Sequence, residues 1–96
     1  MAKEKITDFD EARERFDAGS IVSVVRGDIS RVCRIDGSNE DGIGYHFYGP
    51  GADDKLIRSN STAYRDSFED GMYFQVPTTR QKKKFNEIER EVETGQ

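Results

Sequence analysis

The densest chemistry in the chain is a run of cations at Arg80, Lys82, Lys83 and Lys84. That spacing suits contact with phosphates or with a carboxylate-rich protein surface. A second set lies upstream, where Arg31, Arg34, His46, Tyr48 and Tyr73 fall in segments of alternating polarity. Flat rings and long cationic side chains on one surface can stack a base, cradle a proline-rich peptide or grip a methylated cation. These nine residues are the candidate binding groups.

Catalytic chemistry has less to draw on. His46 is the only histidine, which leaves little for a multi-histidine metal site or a histidine-based triad. Cys33 is the only cysteine. It cannot form an intramolecular disulfide, and its alternating context reads as a small core residue. Asp53, Asp54, Asp66, Glu69 and Asp70 sit in turn-like, hydrated contexts with no evident cause for a raised pKa. The oxygen-rich run from Asp36 to Gly42 invites a calcium reading, but the sixth position is Asp41 and the twelfth is Phe47, where such a loop needs Gly and a bidentate Glu. Neither Gly42-x-Gly44 nor Gly49-Pro50-Gly51 leads into a helix as phosphate-binding loops do. Arg26-Gly27-Asp28 matches an integrin-binding tripeptide, yet Gly-Asp between two strands is also ordinary hairpin chemistry, and that reading is preferred. No metal or cofactor is expected, and the chain is read as a non-enzyme.

Length and composition set the frame for these groups. With 96 residues, 33% of them hydrophobic and 35% charged, the chain is expected to form a single domain, residues 1–96, with a modest core that depends on Phe and Tyr. A net charge of −4 opposes indiscriminate attraction to a phosphate backbone. No apolar run approaches the ~20 residues that span a bilayer, so no membrane is expected and a cytoplasmic location is.

The positioning elements follow from periodicity. Thr7 or Asp8 caps a helix over about 8–18, with Phe9, Ala12 and Phe16 on one face and Gly19 as its stop. Strands are expected at 20–26, 30–36, 43–48, 55–60 and 72–76. The first is apolar enough to be covered on both faces. In the second, Arg at both parities suggests a position near a sheet edge. In the third, Ile43, Tyr45 and Phe47 face inward, which turns His46 and Tyr48 outward; the last strand turns Tyr73 and Gln75 outward likewise. Outward rings can instead lie beneath one of the helices. A helical turn within 61–71 places Tyr64 and Phe68 together to plug one end. After Pro77, a helix over about 79–93 carries its cations first and Glu87, Glu89, Glu91 and Glu93 last, against the helix dipole. Its stripe of Phe85, Ile88 and Val92 is expected to dock on the chain itself or on a second copy as a homodimer.

The Gly-x-Ile-Val-x-Val opening at Gly19–Val24, with a short helical turn before the last strand, resembles SH3-like barrels, the fold also used by tudor-type and KOW-type modules. The resemblance spans about residues 19–76 and implies an α+β protein: a small five-stranded antiparallel barrel, flanked by an N-terminal and a C-terminal helix. Two functional classes follow. The first is a non-catalytic protein-binding module or small regulatory, inhibitory protein, in the style of accessory or phage-encoded factors, acting on a larger macromolecular partner. The alternative is a nucleic-acid-binding module, with Arg80, Lys82, Lys83 and Lys84 on phosphates and Arg31, Arg34, Tyr48 and Tyr73 on bases or sugar.

Overall fold

The computed structural model describes residues 4–94. Strand β2 (Ile21–Arg26) turns back into β3 (Ile29–Ser38) through Gly27 and Asp28, with Arg26 opposite Ile29. Gly27 takes the left-handed region, with φ of 61°, which a side chain would strain and glycine accepts. Strands β4 (Gly42–Pro50) and β5 (Leu56–Tyr64) continue the meander. The expected Asp36–Gly42 loop is shorter, because β3 runs on to Ser38; the turn is closed by Asn39, whose Oδ1 accepts from the backbone N–H of Asp41 (2.8 Å) and Gly42 (3.0 Å).

The expected five-stranded SH3-like barrel does not form. A two-residue strand, β1 (Lys5–Ile6), joins the far side, and β6 (Tyr73–Gln75) lies between it and β2. The result is a six-stranded antiparallel sheet in the order β1-β6-β2-β3-β4-β5, open at both edges. The physical reason is that helices, not a closing strand, cover the inner face. Helix α1 (Phe9–Arg15), capped by the Asp8 side chain on the Glu11 N–H, brings Phe9 and Ala12 down onto it, and Phe16 follows at the helix end. Helix α2 (Arg65–Glu69) adds Phe68. These rings meet Phe74, which is fully buried with its centroid 5.1 Å from Phe68 and 6.1 Å from Phe16. Ile6, Val22, Val24, Cys33, Ile35, Ile43, Tyr45, Ala63 and Met72 complete the core.

Two further expectations change. Arg34 and Arg31 do not mark an edge, because β3 is central between β2 and β4. Tyr64 does not plug an end with Phe68; it is exposed, because the helical turn begins only at Arg65 and Tyr64 still belongs to β5. The first strand is covered at both parities as expected, with Val22, Ser23, Val24 and Val25 buried.

Helix α3 (Thr79–Glu93) starts with a reciprocal cap: Gln81 N–H donates to Thr78 Oγ1, and Thr78 N–H donates to Gln81 Oε1. It packs on the outer face of β3 and β5, opposite the main core. Its bounds are those the sequence pattern predicts.

Two substitutions test this account by urea unfolding. Phe74→Ala empties the centre of the aromatic cluster and is expected to cost about 3–5 kcal/mol. Ser23→Ala should act in the other direction. The Ser23 hydroxyl is buried without a hydrogen-bond partner among the described residues, so its removal should stabilise the fold by about 1 kcal/mol.

Candidate functional site: a clamped helix and its basic apolar groove

The outer face of the sheet is polar where α3 crosses it. Register places Arg34 of β3 opposite His46 of β4, and His46 opposite Asn60 of β5. Glu89 descends from α3 onto this row. Its carboxylate accepts from Arg34 Nη2 at 2.8 Å and Nε at 3.1 Å, and from Tyr48 Oη at 3.3 Å. His46 Nε2 lies 3.0 Å from Glu89 Oε2, and its Nδ1 lies 2.6 Å from Asp36 Oδ1. The ring is only 4% exposed, so both of its nitrogens find partners inside the protein. One turn later Glu93 accepts from Tyr48 Oη at 2.7 Å and from Arg58 at 3.4 Å. Arg34 also donates to the Gly19 carbonyl and to Asn86 Oδ1, both at 2.7 Å.

Beneath these polar contacts, Phe85 is buried against the Tyr48 ring (5.6 Å between centroids) and the His46 ring (6.3 Å), with the Arg34 guanidinium 5.6 Å from its own centroid. This explains half of the helix's charge order. The acidic second half opposes the dipole, yet Glu89 and Glu93 meet sheet cations there, which offsets the dipole term. Burial alone raises the Glu89 pKa. The hydrogen bonds from His46, Arg34 and Tyr48, together with the Arg34 charge, overcome that and hold it below its ordinary 4.5. The Tyr48 hydroxyl is pushed well above its usual value, first by burial and then by the two carboxylates it faces.

The basic first half has no such explanation. Arg80, Lys82, Lys83 and Lys84 are exposed and form no ion pair with any described residue. Beside them, between α3 and the ends of β3 and β4, lies a groove of about 390 Å³. Val32, Phe47, Tyr48, Pro50, Phe85 and Ile88 give it apolar walls. Its only charged lining residues are Arg31 and Lys84, both basic. Arg31 stacks its guanidinium over Phe47 at 4.6 Å and forms no ion pair either.

The structure therefore divides the nine candidate residues. Arg31, Tyr48 and Lys84 line the groove, with Arg80 one helical turn before Lys84. Lys82 and Lys83 lie on the other flank of α3, in a shallow depression with Asn86 and Arg90. Arg34 and His46 are committed to the Glu89 cluster. Tyr73 is on β6, separated from β4 by β2 and β3, and pairs with Lys5 at 5.0 Å. A continuous aromatic platform does not exist, because the sheet order keeps Tyr73 and Tyr48 apart and α3 covers His46. Of the stripe expected to dock, Phe85 is buried on the chain's own sheet and Ile88 and Val92 are half-buried, so the homodimer reading of that stripe has no support.

Sequence reasoning missed Asp36, Arg58, Glu89 and Glu93 as partners, and Phe47 and Val32 as groove walls. The spacing of Phe85, Glu89 and Glu93 on one helix face was the available signal. Cys33 is fully buried, and desolvation pushes its thiol up to about 12 despite the opposing Arg31 charge, which disfavours the nucleophilic thiolate. Among the described residues no His, Cys, Asp and Glu group is arranged to hold a metal ion, and no helix is long and apolar enough to cross a membrane. The chain matches no protein-family model, no curated protein and no solved structure, so function must be argued from the site itself.

The clamp carries a pH signature. Because Glu89 binds its proton less tightly folded than unfolded, the stability it contributes is complete above 4.5 and declines as pH falls below that value. Urea unfolding between pH 6 and pH 3 should show this decline, and Glu89→Gln should flatten part of it. Glu89→Ala, which removes one charged partner from both Arg34 and His46, should cost about 2–3 kcal/mol at neutral pH. It should also speed amide exchange along α3 more than in the sheet. Cys33 should resist a thiol reagent until the protein unfolds.

Proposed function

We propose that this protein is a non-catalytic protein-binding module of the regulatory or inhibitory kind, and that its groove receives an acidic segment of a larger partner. The observation that carries the reading is the contrast within α3. In its acidic half Glu89 and Glu93 are taken up in docking while Glu87 and Glu91 stay exposed, whereas its basic run, on a chain of net charge −4, stands unpaired beside an apolar groove. Unpaired cations at an apolar recess suit a ligand that offers carboxylates around one bulky apolar side chain. The side chain supplies buried area, and the charges supply orientation and a faster encounter.

The groove is preformed. Phe85 and Tyr48 are held by the Glu89 clamp, and Phe47 is held beneath Arg31, so the walls lose little freedom when a ligand enters. Lys82 and Lys83, on the far flank, contribute to the long-range field rather than to contact. The nucleic-acid alternative draws less support, since Arg34 and His46 are occupied internally and Tyr73 is distant from the groove. What remains for it is a short basic run on an acidic protein.

The test is affinity capture of the tagged full chain from a lysate of its own host, with and without nuclease. A defined protein that survives nuclease is expected. Joint reversal Arg31→Glu with Lys84→Glu should lower its recovery at least about tenfold, equivalent to ~1.4 kcal/mol. Lys82→Glu with Lys83→Glu should weaken it less, and more at low salt than at high. Recovery that vanishes with nuclease would overturn the reading in favour of nucleic acid.

A further inference from the structure

The sheet's two edges are unequal. At one end β1 is two residues long, too short to template another strand. At the other, β5 runs nine residues with β4 on one side only and no proline or glycine within it. Of the five large hydrophobic residues that are exposed among the described residues, three are in this strand: Leu56, Ile57 and Tyr64. Soluble proteins usually protect such an edge with lysine, proline or a bulge, and β5 has none of these. Its one charge, Arg58, is engaged within the chain by Glu93 and Asn60.

The order of polar and apolar residues in β5 is symmetric about Asn60. Reading outward from that centre, Ser59 answers Ser61, Arg58 answers Thr62, Ile57 answers Ala63 and Leu56 answers Tyr64. In an antiparallel pair related by a twofold axis through Asn60, each residue would face its mirror position on the other copy. Hydroxyls would then meet hydroxyls at the centre and apolar groups would meet apolar groups at both ends. Leu56 and Tyr64, both exposed, pair on the outer face, and on the inner face the exposed Ile57 comes opposite Ala63, which is already buried in its own core, because side chains alternate along the strand. The two arginines would each oppose a threonine and stand four residues apart, about 13 Å, so no like charges face each other.

We propose that β5 is a homodimer interface, at which two copies pair antiparallel about Asn60 to join their sheets into one. A second copy fits this edge better than an arbitrary strand, because the pattern is complementary to itself, as a twofold interface requires. The pairing satisfies the unpaired backbone groups of the edge and covers three exposed apolar side chains at once. It is independent of the groove, which lies at α3, β3 and β4.

Engineered cysteines read the register directly. In Asn60→Cys the two thiols face each other across the axis, with Cα atoms about 4.5–5.5 Å apart in either type of antiparallel pair, within the reach of a disulfide. In Thr62→Cys they are about 13 Å apart. Cys33 is fully buried and does not compete. With oxidised glutathione, N60C should form a covalent dimer at least about tenfold faster than T62C; a factor of ten is ~1.4 kcal/mol in the barrier. Sedimentation equilibrium of the unmodified chain should show a dimer that Asn60→Lys dissociates, since it sets two lysines face to face. The Arg31→Glu, Lys84→Glu variant should remain dimeric, which separates this interface from the groove. A monomer at concentrations up to about 100 µM, where contacts worth ~5.5 kcal/mol would register, would overturn the proposal. So would equal crosslinking of the two cysteine variants, or capture of an unrelated strand at this edge with no self-association.

Discussion

The Glu89 carboxylate is the joint on which the outer half of the molecule depends. It takes donors from β3 and β4 together, through Arg34, His46 and Tyr48, and so fixes where α3 lies across the sheet. Charge-assisted hydrogen bonds to a bidentate guanidinium are directional as well as strong. A purely apolar helix face would tolerate sliding along the sheet, whereas this contact defines a position. Phe85 is buried as a consequence, and a groove is left along one flank of α3.

The two faces of the sheet are built on different physics. The inner face is a cluster of rings and branched aliphatics gathered around Phe74 by two short helices. Hydrophobic burial dominates there, and burial accounts for the inert thiol of Cys33. The outer face is a lattice of hydrogen-bonded charges with a single large apolar anchor, Phe85. A chain with only 33% hydrophobic residues cannot furnish two apolar cores, and the polar docking of α3 is a solution within that composition. The half-buried and buried polar groups there each have partners: the guanidinium of Arg34 meets Glu89, Asn86 and the Gly19 carbonyl, and the two ring nitrogens of His46 meet Asp36 and Glu89.

Charge is distributed so that attraction inside the molecule and attraction outward use different ends of one helix. At the acidic end Glu89 and Glu93 are taken up by Arg34 and Arg58 of the sheet. The basic end, beside Phe47, Tyr48 and Pro50, faces solvent. The sheet's open edge offers a further surface of another kind, made of backbone groups and apolar side chains rather than cations. The proposed recognition surfaces thus differ in kind, one electrostatic and one built on strand pairing.

Much of the local structure was legible in the sequence. The bounds of α3, the burial of Phe9, Ala12 and Phe16, the two-sided cover of β2, the Gly27-Asp28 hairpin and the outward turn of His46 and Tyr48 all follow from caps, glycines and periodicity, which act over a few residues. Which strands become neighbours is a different kind of information. The two residues of β1 are too few to carry a period, and their pairing beside β6 appears only once the chain has folded back over nearly its whole length. Sheet closure, the separation of Tyr73 from Tyr48 and the central place of β3 depend on that strand order. The fate of Glu89 does as well: its partners are 41, 43 and 55 residues away. The sequence by itself therefore determined which side chains each element would present. Only the tertiary structure decided which of them would meet, because those meetings are set by packing between distant segments and not by any local preference.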